Sequence, residues 1–599
     1  LLLFHLTHVS RKNKEVLESG YLNFMRVEPL DDLPVLGSKL LESGLSTYLD
    51  KHFPDHGHWQ GISGGKLAIG WLLYILSECD HRLSHVESWA SLRIKSLRAI
   101  LGEVNLRVLD FSDDRLGRLL DRYSNDKSWN EFEQSFGRKV LEVYDLVSGS
   151  GSEIGGMHIV RSDSFNAPQF REVSELFSYG HSKQRRSDQP FCKVMLAALD
   201  PMALPIAVEI IKGGGPDVEH YLTVINRVQS ILGQSGNLYV GDSQLGSLGN
   251  RLAIEQAGDY YLTPLNLKQC TARELYKYLD QIPQPIEKLA AIFTDADSTR
   301  KPAYYYELEQ GISIEVNECK WKERRILVYS PAYAQRLLSS YRRRLDEAET
   351  AIQNLVISKK GRRNPRKLAD LYARVEGLIK RFNVQDAFEV NCSQTVEKYR
   401  VQRHKDRPEE IREKITLHLE INRNEQVIIQ KQQRMGWQLY ATNAPVEKVP
   451  TTQAVMCYRN EYRIEHVFDY IINRDTGLLP IFLKKETRVK GLIRLLSLAM
   501  RFSILIQNQV RGQLAKNDQQ LGGIYPGNKN RKTRNPTTPM ILRAFRGIAV
   551  VWMEIADQKL LQITELNQTQ KIILDLLNHK HIYSSILNLL KSYPSLRET

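Results

Sequence analysis

The sequence lacks any hydrophobic run long enough to cross a bilayer. Its longest apolar stretch, LAIGWLLYIL at 67–76, is bounded by Lys66 and Glu78, far short of the roughly 20 residues a spanning helix needs. No membrane partner is expected. The opening LLLFHLTH has neither a basic start nor a small-residue cleavage site, so it does not read as a signal peptide. Position 1 is Leu rather than Met, which points to an upstream start or a clipped chain. Cysteine is sparse: six residues, at 79, 192, 270, 319, 392 and 457, with no C-x-x-C pair. That pattern argues against a disulfide framework or a cysteine zinc site, and fits reduced packing thiols in a cytosolic protein. His52, His56 and His58 lie close in KHFPDHGHW, but no thiolate or second ligand cluster accompanies them, so the bland reading of a polar loop stands. No internal repeat is visible.

Acid is the scarcer charge. The 599 residues carry 83 Lys and Arg against 69 Asp and Glu, a formal charge of +14. The excess is uneven. SKKGRRNPRK at 358–367 holds Lys359, Lys360, Arg362, Arg363, Arg366 and Lys367 without an acid, and NKNRKTR at 528–534 adds four more basic residues. Such runs suit a polyanion, most simply nucleic acid, through phosphate neutralisation and counterion release. Each run alone fits a solvated loop equally well. Hydrophobic content of 42% is ordinary for a globular protein, and the length implies three or four domains.

Residues 1–147 read as helical: 67–76 as a buried helix, and DFSDDRLGRLLDRY at 110–123 as an amphipathic one behind an Asp-rich cap. SGSGSEIGG at 148–156 reads as a joint. Strands are then predicted at 158–163, 192–199, 204–211, 238–242 and 260–265. The Asp-Pro turn DPMA makes the second and third an antiparallel hairpin, and helices are predicted at 218–232 and 247–257. This alternation argues for one mixed sheet with helices on its faces. Residues 271–450 read as an insert with basic helices at 333–356 and 365–382 and alternating strands such as 415–421 and 426–430. Helices follow at 458–472 and 489–507, and a helical tail from 516 to 599.

Three carboxylates stand out. Asp163 ends the first predicted strand and Asp242 the fourth, and in a sheet of this order those ends are neighbours; ligands of open α/β sheets bind beyond such ends. The segment YRNEYRIEHVFDYII at 458–472 places Ile464, Val467, Phe468, Ile471 and Ile472 on one helical stripe. Glu465 flanks that stripe, stacked near Tyr458, Glu461 and Phe468. Taken singly, each Asp reads as a turn residue and Glu465 as a solvated neighbour of a core face. Taken together, clustered carboxylates call for a hard divalent cation, Mg²⁺ or Mn²⁺. Three of them suit a pair of ions about 3.5–4 Å apart that activates water or a 3′-hydroxyl toward a phosphodiester. Among competing acids, Asp200 is explained by its turn, Glu209 lies mid-strand, Asp188 follows Lys183, Arg185 and Arg186, and Asp217 reads as a helix cap.

The segments YGHSKQRRSDQPFCKVMLAALDPMALPIAVEIIKGGGPD, LYVGDSQLGSLGNRLAIEQAGDYYLTPL and the stretch from YRNEYRIEHVFDYII to LLSLAMR resemble DDE transposases of bacterial insertion sequences. The likeness is to the cut-and-paste superfamily with a Y-x2-R-x3-E-x6-K helix, in its long-chain branch. Looser similarity runs through HGHWQGISGG, DFSDDRL and GWQLYATN. The resemblance implies a ribonuclease H-like catalytic core interrupted by a largely β insert, and carries the three acids onto Asp163, Asp242 and Glu465. Tyr458 matches the motif tyrosine and reads as a DNA-phosphate contact rather than a nucleophile. The chain departs from the pattern at Glu461, where an arginine is usual, and at Ile472, where a lysine is usual; the first acid is followed by Ser-Phe rather than threonines. Arg459, Arg463 and Arg474 are the available substitutes.

The resulting expectation is a Mg²⁺- or Mn²⁺-dependent transposase, with two ions per site, in a bacterial cytoplasm at the nucleoid. It would bind double-stranded DNA at element ends and in target sites, as a homodimer in the synaptic complex. The assigned regions are a helical DNA-binding domain at 1–147, catalytic core at 157–270 and 451–515, an insert at 271–450 and a helical tail at 516–599. Lys183, Arg185, Arg186, Lys359, Lys360, Arg362, Arg363, Tyr458, Arg459 and Arg463 are the expected DNA contacts. A nuclease without strand transfer and a non-catalytic DNA-binding relic are the alternatives.

Overall fold

The structure is a computed structural model. It describes residues 22–147, 156–169, 173–180, 189–215, 218–283, 289–292, 302–357, 364–401, 410–469, 483–528, 530–555 and 558–592, with single positions 154, 285, 286 and 481. Strand β1 (Leu22–Pro29) leads into helices α1 (Leu33–Glu42), α2 (Leu45–His52), α3 (Gly64–Glu78), α4 (Leu83–Ser91), α5 (Ile94–Leu101), α6 (Asp113–Tyr123) and α7 (Asp126–Val143). Ser63 caps α3 by accepting the Lys66 N–H at 3.2 Å. Leu67, Ile69, Leu72, Leu73 and Ile75 are wholly buried, each contributing about 1.5–3 kcal/mol. Among the described residues no helix is long and apolar enough to cross a membrane.

The central sheet begins with β2 (Ile159–Pro168), β3 (Phe191–Leu199) and β4 (Leu204–Ile211), and continues through α8 (Val218–Leu232), β5 (Leu238–Gly241), α9 (Leu248–Gln256) and β6 (Tyr260–Pro264). The expected hairpin is present, β3 and β4 pairing antiparallel from Lys193↔Ile211 to Leu199↔Leu204. The first strand does not end at Asp163. It runs on to Pro168, because SFNAP keeps pairing with β3 as far as Pro168↔Phe191. Next come α10 (Ala272–Leu279), β7 (Ala290–Ile292), β8 (Ala303–Glu307), β9 (Ile312–Val316), β10 (Cys319–Tyr329), α11 (Pro331–Gln353), α12 (Leu368–Phe382), β11 (Phe388–Val401), β12 (Glu410–Arg423), α13 (Glu425–Gln433) and β13 (Trp437–Thr442). Strands β13, β10, β8 and β7 join the same sheet, whose order is β4-β3-β2-β5-β6-β13-β10-β8-β7 with β9 on β10. β2, β5 and β6 are parallel, and the remaining pairs are antiparallel. Residues 426–430, read as a strand, lie in helix α13 instead. Asn424 starts that helix by accepting the Val427 N–H at 3.2 Å, a cap that outweighs the short alternating pattern.

The predicted single helix at 458–472 is two helices, α14 (Thr451–Arg459) and α15 (Tyr462–Asp469). The chain turns at Asn460 and Glu461, where the Glu461 N–H bonds the Tyr458 carbonyl at 3.0 Å. Ile471, Ile472 and Arg474 lie outside the described residues. Helix α16 (Glu486–Lys516) then crosses the molecule. Its buried Arg494 donates to the Tyr123 carbonyl at 2.7 Å and its buried Arg501 to the Pro205 carbonyl at 2.8 Å, joining the N-terminal helices to β4. The tail is not purely helical. After β14 (Leu521–Gly522), β15 (Lys532–Thr533) and α17 (Thr538–Arg543) come β16 (Ala549–Ile555) and β17 (Gln558–Ile563), before α18 (Gln568–Leu576) and α19 (Ile582–Ser592). AVVWMEI is β-branched and apolar, and β16 pairs antiparallel with β1 to make the sheet β1-β16-β17.

Candidate active site

Parallel pairing between β2 and β5 runs from Ile159↔Leu238 to Ser162↔Gly241. Asp163 and Asp242 are therefore the next residues in step, side by side where β5 ends. Asp163 is half-buried, and its Oδ1 accepts the Ser164 N–H at 2.7 Å. Asp242 Oδ1 accepts the Tyr221 hydroxyl at 2.9 Å and the Gln244 N–H at 2.9 Å. Thr263 on β6 donates to the Asp242 carbonyl at 2.8 Å. Both acids expected from the sequence are thus brought together by the sheet.

Glu465 is exposed, in the first turn of α15. The buried residues Ile464, Val467 and Phe468 seat that helix, and the Phe468 ring lies 5.1 Å from Phe165 of β2. Arg463 ties the same turn to Asp200 Oδ2 at 3.3 Å. Asp200 also receives the buried Arg161 Nε at 2.8 Å, whose Nη2 lies 3.7 Å from Cys457 Sγ on α14. Asp200 is therefore more than a turn residue. It is the buried anion that binds two arginines from different elements, and a buried charge needs such partners.

Glu461 is the residue that the sequence reading left outside the acid set. It is half-buried at the turn between α14 and α15. Burial pushes its carboxyl up to about 7, with the charges of Asp163, Asp242 and Glu465 adding to the rise and a hydrogen bond from Tyr458 opposing it. Four carboxylates consequently share one neighbourhood. The signal for Glu461 was its spacing, three residues after Tyr458 and four before Glu465.

Tyr458 is buried, its ring 4.5 Å from Tyr440. Burial, the Glu461 charge and the hydrogen bond to Glu461 raise its phenol well above the ordinary value, so it stays a protonated donor. Arg459 is half-buried, and its Nε has no hydrogen-bond partner among the described residues. Lys183, Arg185, Arg186, Asp188, Asp217, Lys359, Lys360, Arg362 and Arg363 lie outside the described residues.

As the side chains stand, no three His, Cys, Asp or Glu among the described residues surround one point as a ready cage for a metal ion. The donor chemistry nevertheless fits a hard divalent cation. Every candidate ligand is a carboxylate oxygen, and the repulsion from Asp163, Asp242 and Glu465 that adds to the effect of burial on Glu461 is what a bound cation relieves.

No family model matches the chain, and no curated protein matches it. The cryo-EM structure of a piggyBac transposase synaptic complex with hairpin DNA aligns with 95% of this chain and 85% of its own, at 9% sequence identity and a TM-score of 0.31. A likeness at that level carries no argument about activity.

Proposed function

We propose that the chain is a DDE transposase, which binds the ends of a bacterial insertion sequence, cleaves DNA phosphodiesters there and joins the freed 3′-ends to target DNA. The observation that carries this reading is the in-step placement of Asp163 and Asp242 beside β5, with Glu465 on a helix docked to the same strand β2. The segment order β4-β3-β2-β5-β6, antiparallel then parallel, supports a ribonuclease H-like core.

Asp163, Asp242 and Glu465 would hold two Mg²⁺ or Mn²⁺ ions. When bound, such ions supply an activated oxygen nucleophile and charge relief at the leaving oxygen. The protein's own part is to position the carboxylates, Asp242 by Tyr221 and Gln244, Glu465 by the Phe468 and Asp200 anchors. Arg459, Arg463 and the basic runs around 183–186 and 359–363 would contact DNA phosphates, while the buried Tyr458, expected from the sequence as such a contact, would instead hold Glu461. The N-terminal helices would read the terminal repeats. A homodimer in the synaptic complex and a cytoplasmic, nucleoid-associated location complete the proposal.

Glu461 favours a second reading, a DNA-binding relic without catalysis, because an acid stands where the resemblance has a phosphate-contacting arginine. One experiment separates the readings. Parental protein and Glu465→Gln are assayed for Mg²⁺-dependent cleavage and strand transfer on DNA carrying the element's ends. The transposase reading expects both activities in the parent and neither in the variant. Cleavage without joining indicates a nuclease; end binding without cleavage in the parent indicates the relic.

A further inference from the structure

We infer that Tyr221 is a positioning residue for the catalytic cation site, holding Asp242 with one carboxylate oxygen turned away and the other left for a cation. The inference rests on the proposed reading of Asp242 as a cation ligand.

Tyr221 lies on α8 and is 1% exposed. Its hydroxyl donates to Asp242 Oδ1 at 2.9 Å and lies 3.5 Å from the Ser162 carbonyl. It thus touches the neighbourhood of both acids, one residue before Asp163 on β2 and at Asp242 itself. The Gln244 N–H reaches the same Oδ1 at 2.9 Å. Two donors on one oxygen, from different directions, determine both torsions of an aspartate side chain. Among the described residues, Oδ2 accepts no hydrogen bond.

A bare structural account leaves this arrangement without a reason. A buried tyrosine hydroxyl needs an acceptor, but a neutral carbonyl would serve, and Ser162 offers one nearby. Spending a strand-end carboxylate on it, beside three other carboxylates, makes sense if the carboxylate must be aimed before its ligand arrives. Residues that orient metal ligands through a second hydrogen bond typically matter about 10–100-fold for metal affinity. A ligand already held loses no torsional freedom on binding.

The test uses the full chain without DNA, titrated with Mn²⁺ and read by the electron paramagnetic resonance of the free ion. Tyr221→Phe, Asp242→Asn and the parent are compared, with thermal unfolding recorded for each. The expected result is Mn²⁺ affinity weakened about tenfold in Tyr221→Phe at nearly unchanged melting temperature, and weakened further in Asp242→Asn. If Tyr221→Phe binds Mn²⁺ like the parent while Asp242→Asn is impaired, the inference fails and the reading of Asp242 survives. Parental binding in Asp242→Asn overturns both. Should the phenylalanine chain not fold, Tyr221→Met removes the hydroxyl while a flexible side chain fills its place, and parental affinity there counts against the inference in the same way.

Discussion

Arg463 reaches Asp200 Oδ2 at 3.3 Å, and only one residue separates that arginine from Glu465. The candidate third carboxylate is therefore anchored through a residue at the far end of β3. Arg161, 1% exposed, competes for the same oxygen at 2.8 Å. Removing the shared anion leaves a buried guanidinium without its counter-charge. Asp200→Ala should lose about 3–5 kcal/mol of stability in urea denaturation. Amide exchange across Tyr462–Asp469 should accelerate as well. Unaltered stability and exchange would show that the aspartate anchors nothing.

Glu461→Arg places the basic residue that the resemblance calls for at the turn between α14 and α15. It replaces one negative charge with a positive one among Asp163, Asp242 and Glu465. Affinity for element-end DNA should rise, and the slope of log K against log salt should steepen by about 1, as for one added phosphate contact. An unchanged slope would place position 461 away from the bound DNA.

Asp32 offers a pH signature remote from the site. It is wholly buried, and burial pushes its carboxyl from 3.8 to about 6 despite the Ser77 hydroxyl at 2.7 Å. The folded state therefore holds a proton that the unfolded chain releases at lower pH. The fold loses stability as pH rises from about 4 through 6, a penalty on the order of 3 kcal/mol. Asp32→Asn removes the charge but puts an amide N–H₂ where Oδ2 has no partner. A net gain of about 1–2 kcal/mol at pH 8 is expected, vanishing near pH 4. Equal stabilities of variant and parent at pH 8 would refute it.

Gly491 lies where α16 crosses α6. A Cβ there would stand 2.2 Å from the Leu120 carbonyl oxygen. Alanine gains up to about 1 kcal/mol from helix propensity, whereas overpacking against rigid backbone costs about 1–3 kcal/mol. The clash should win, and Gly491→Ala should melt lower than the parent. A higher melting temperature would mean that the two helices separate without penalty.

Local pattern reached some of this architecture and missed the rest for identifiable reasons. CKVMLAAL and LPIAVEII, split by DPMA, announce β3 and β4 because a hairpin is encoded within one window. The pairing of β2 with β5 followed from strand order, and with it the meeting of Asp163 and Asp242. The break at Asn460 was hidden because a single turn, Glu461 N–H to the Tyr458 carbonyl, interrupts the helix while Ile464, Val467 and Phe468 keep their stripe. Asp200 looked like punctuation, since Arg161 and Arg463 come to it from distant segments. Glu461 was noticed as a departure from a motif, yet its membership of the acid group depends on a sheet that no helical wheel contains. A helical reading of the whole tail hides a hairpin: the strand AVVWMEI pairs with its neighbour β17 and, from the other end of the chain, with β1.

That last pairing sets a timetable. Pro29 of β1 faces Ala549 of β16, so on the ribosome the first described strand waits for nearly the whole chain before its edge is covered. At about 5–20 residues per second the wait is on the order of half a minute or more. Throughout it, β1 offers an open edge to any other nascent strand. Translation speed and chaperone supply, rather than the finished fold's stability, should then govern how much of this protein is recovered from cells.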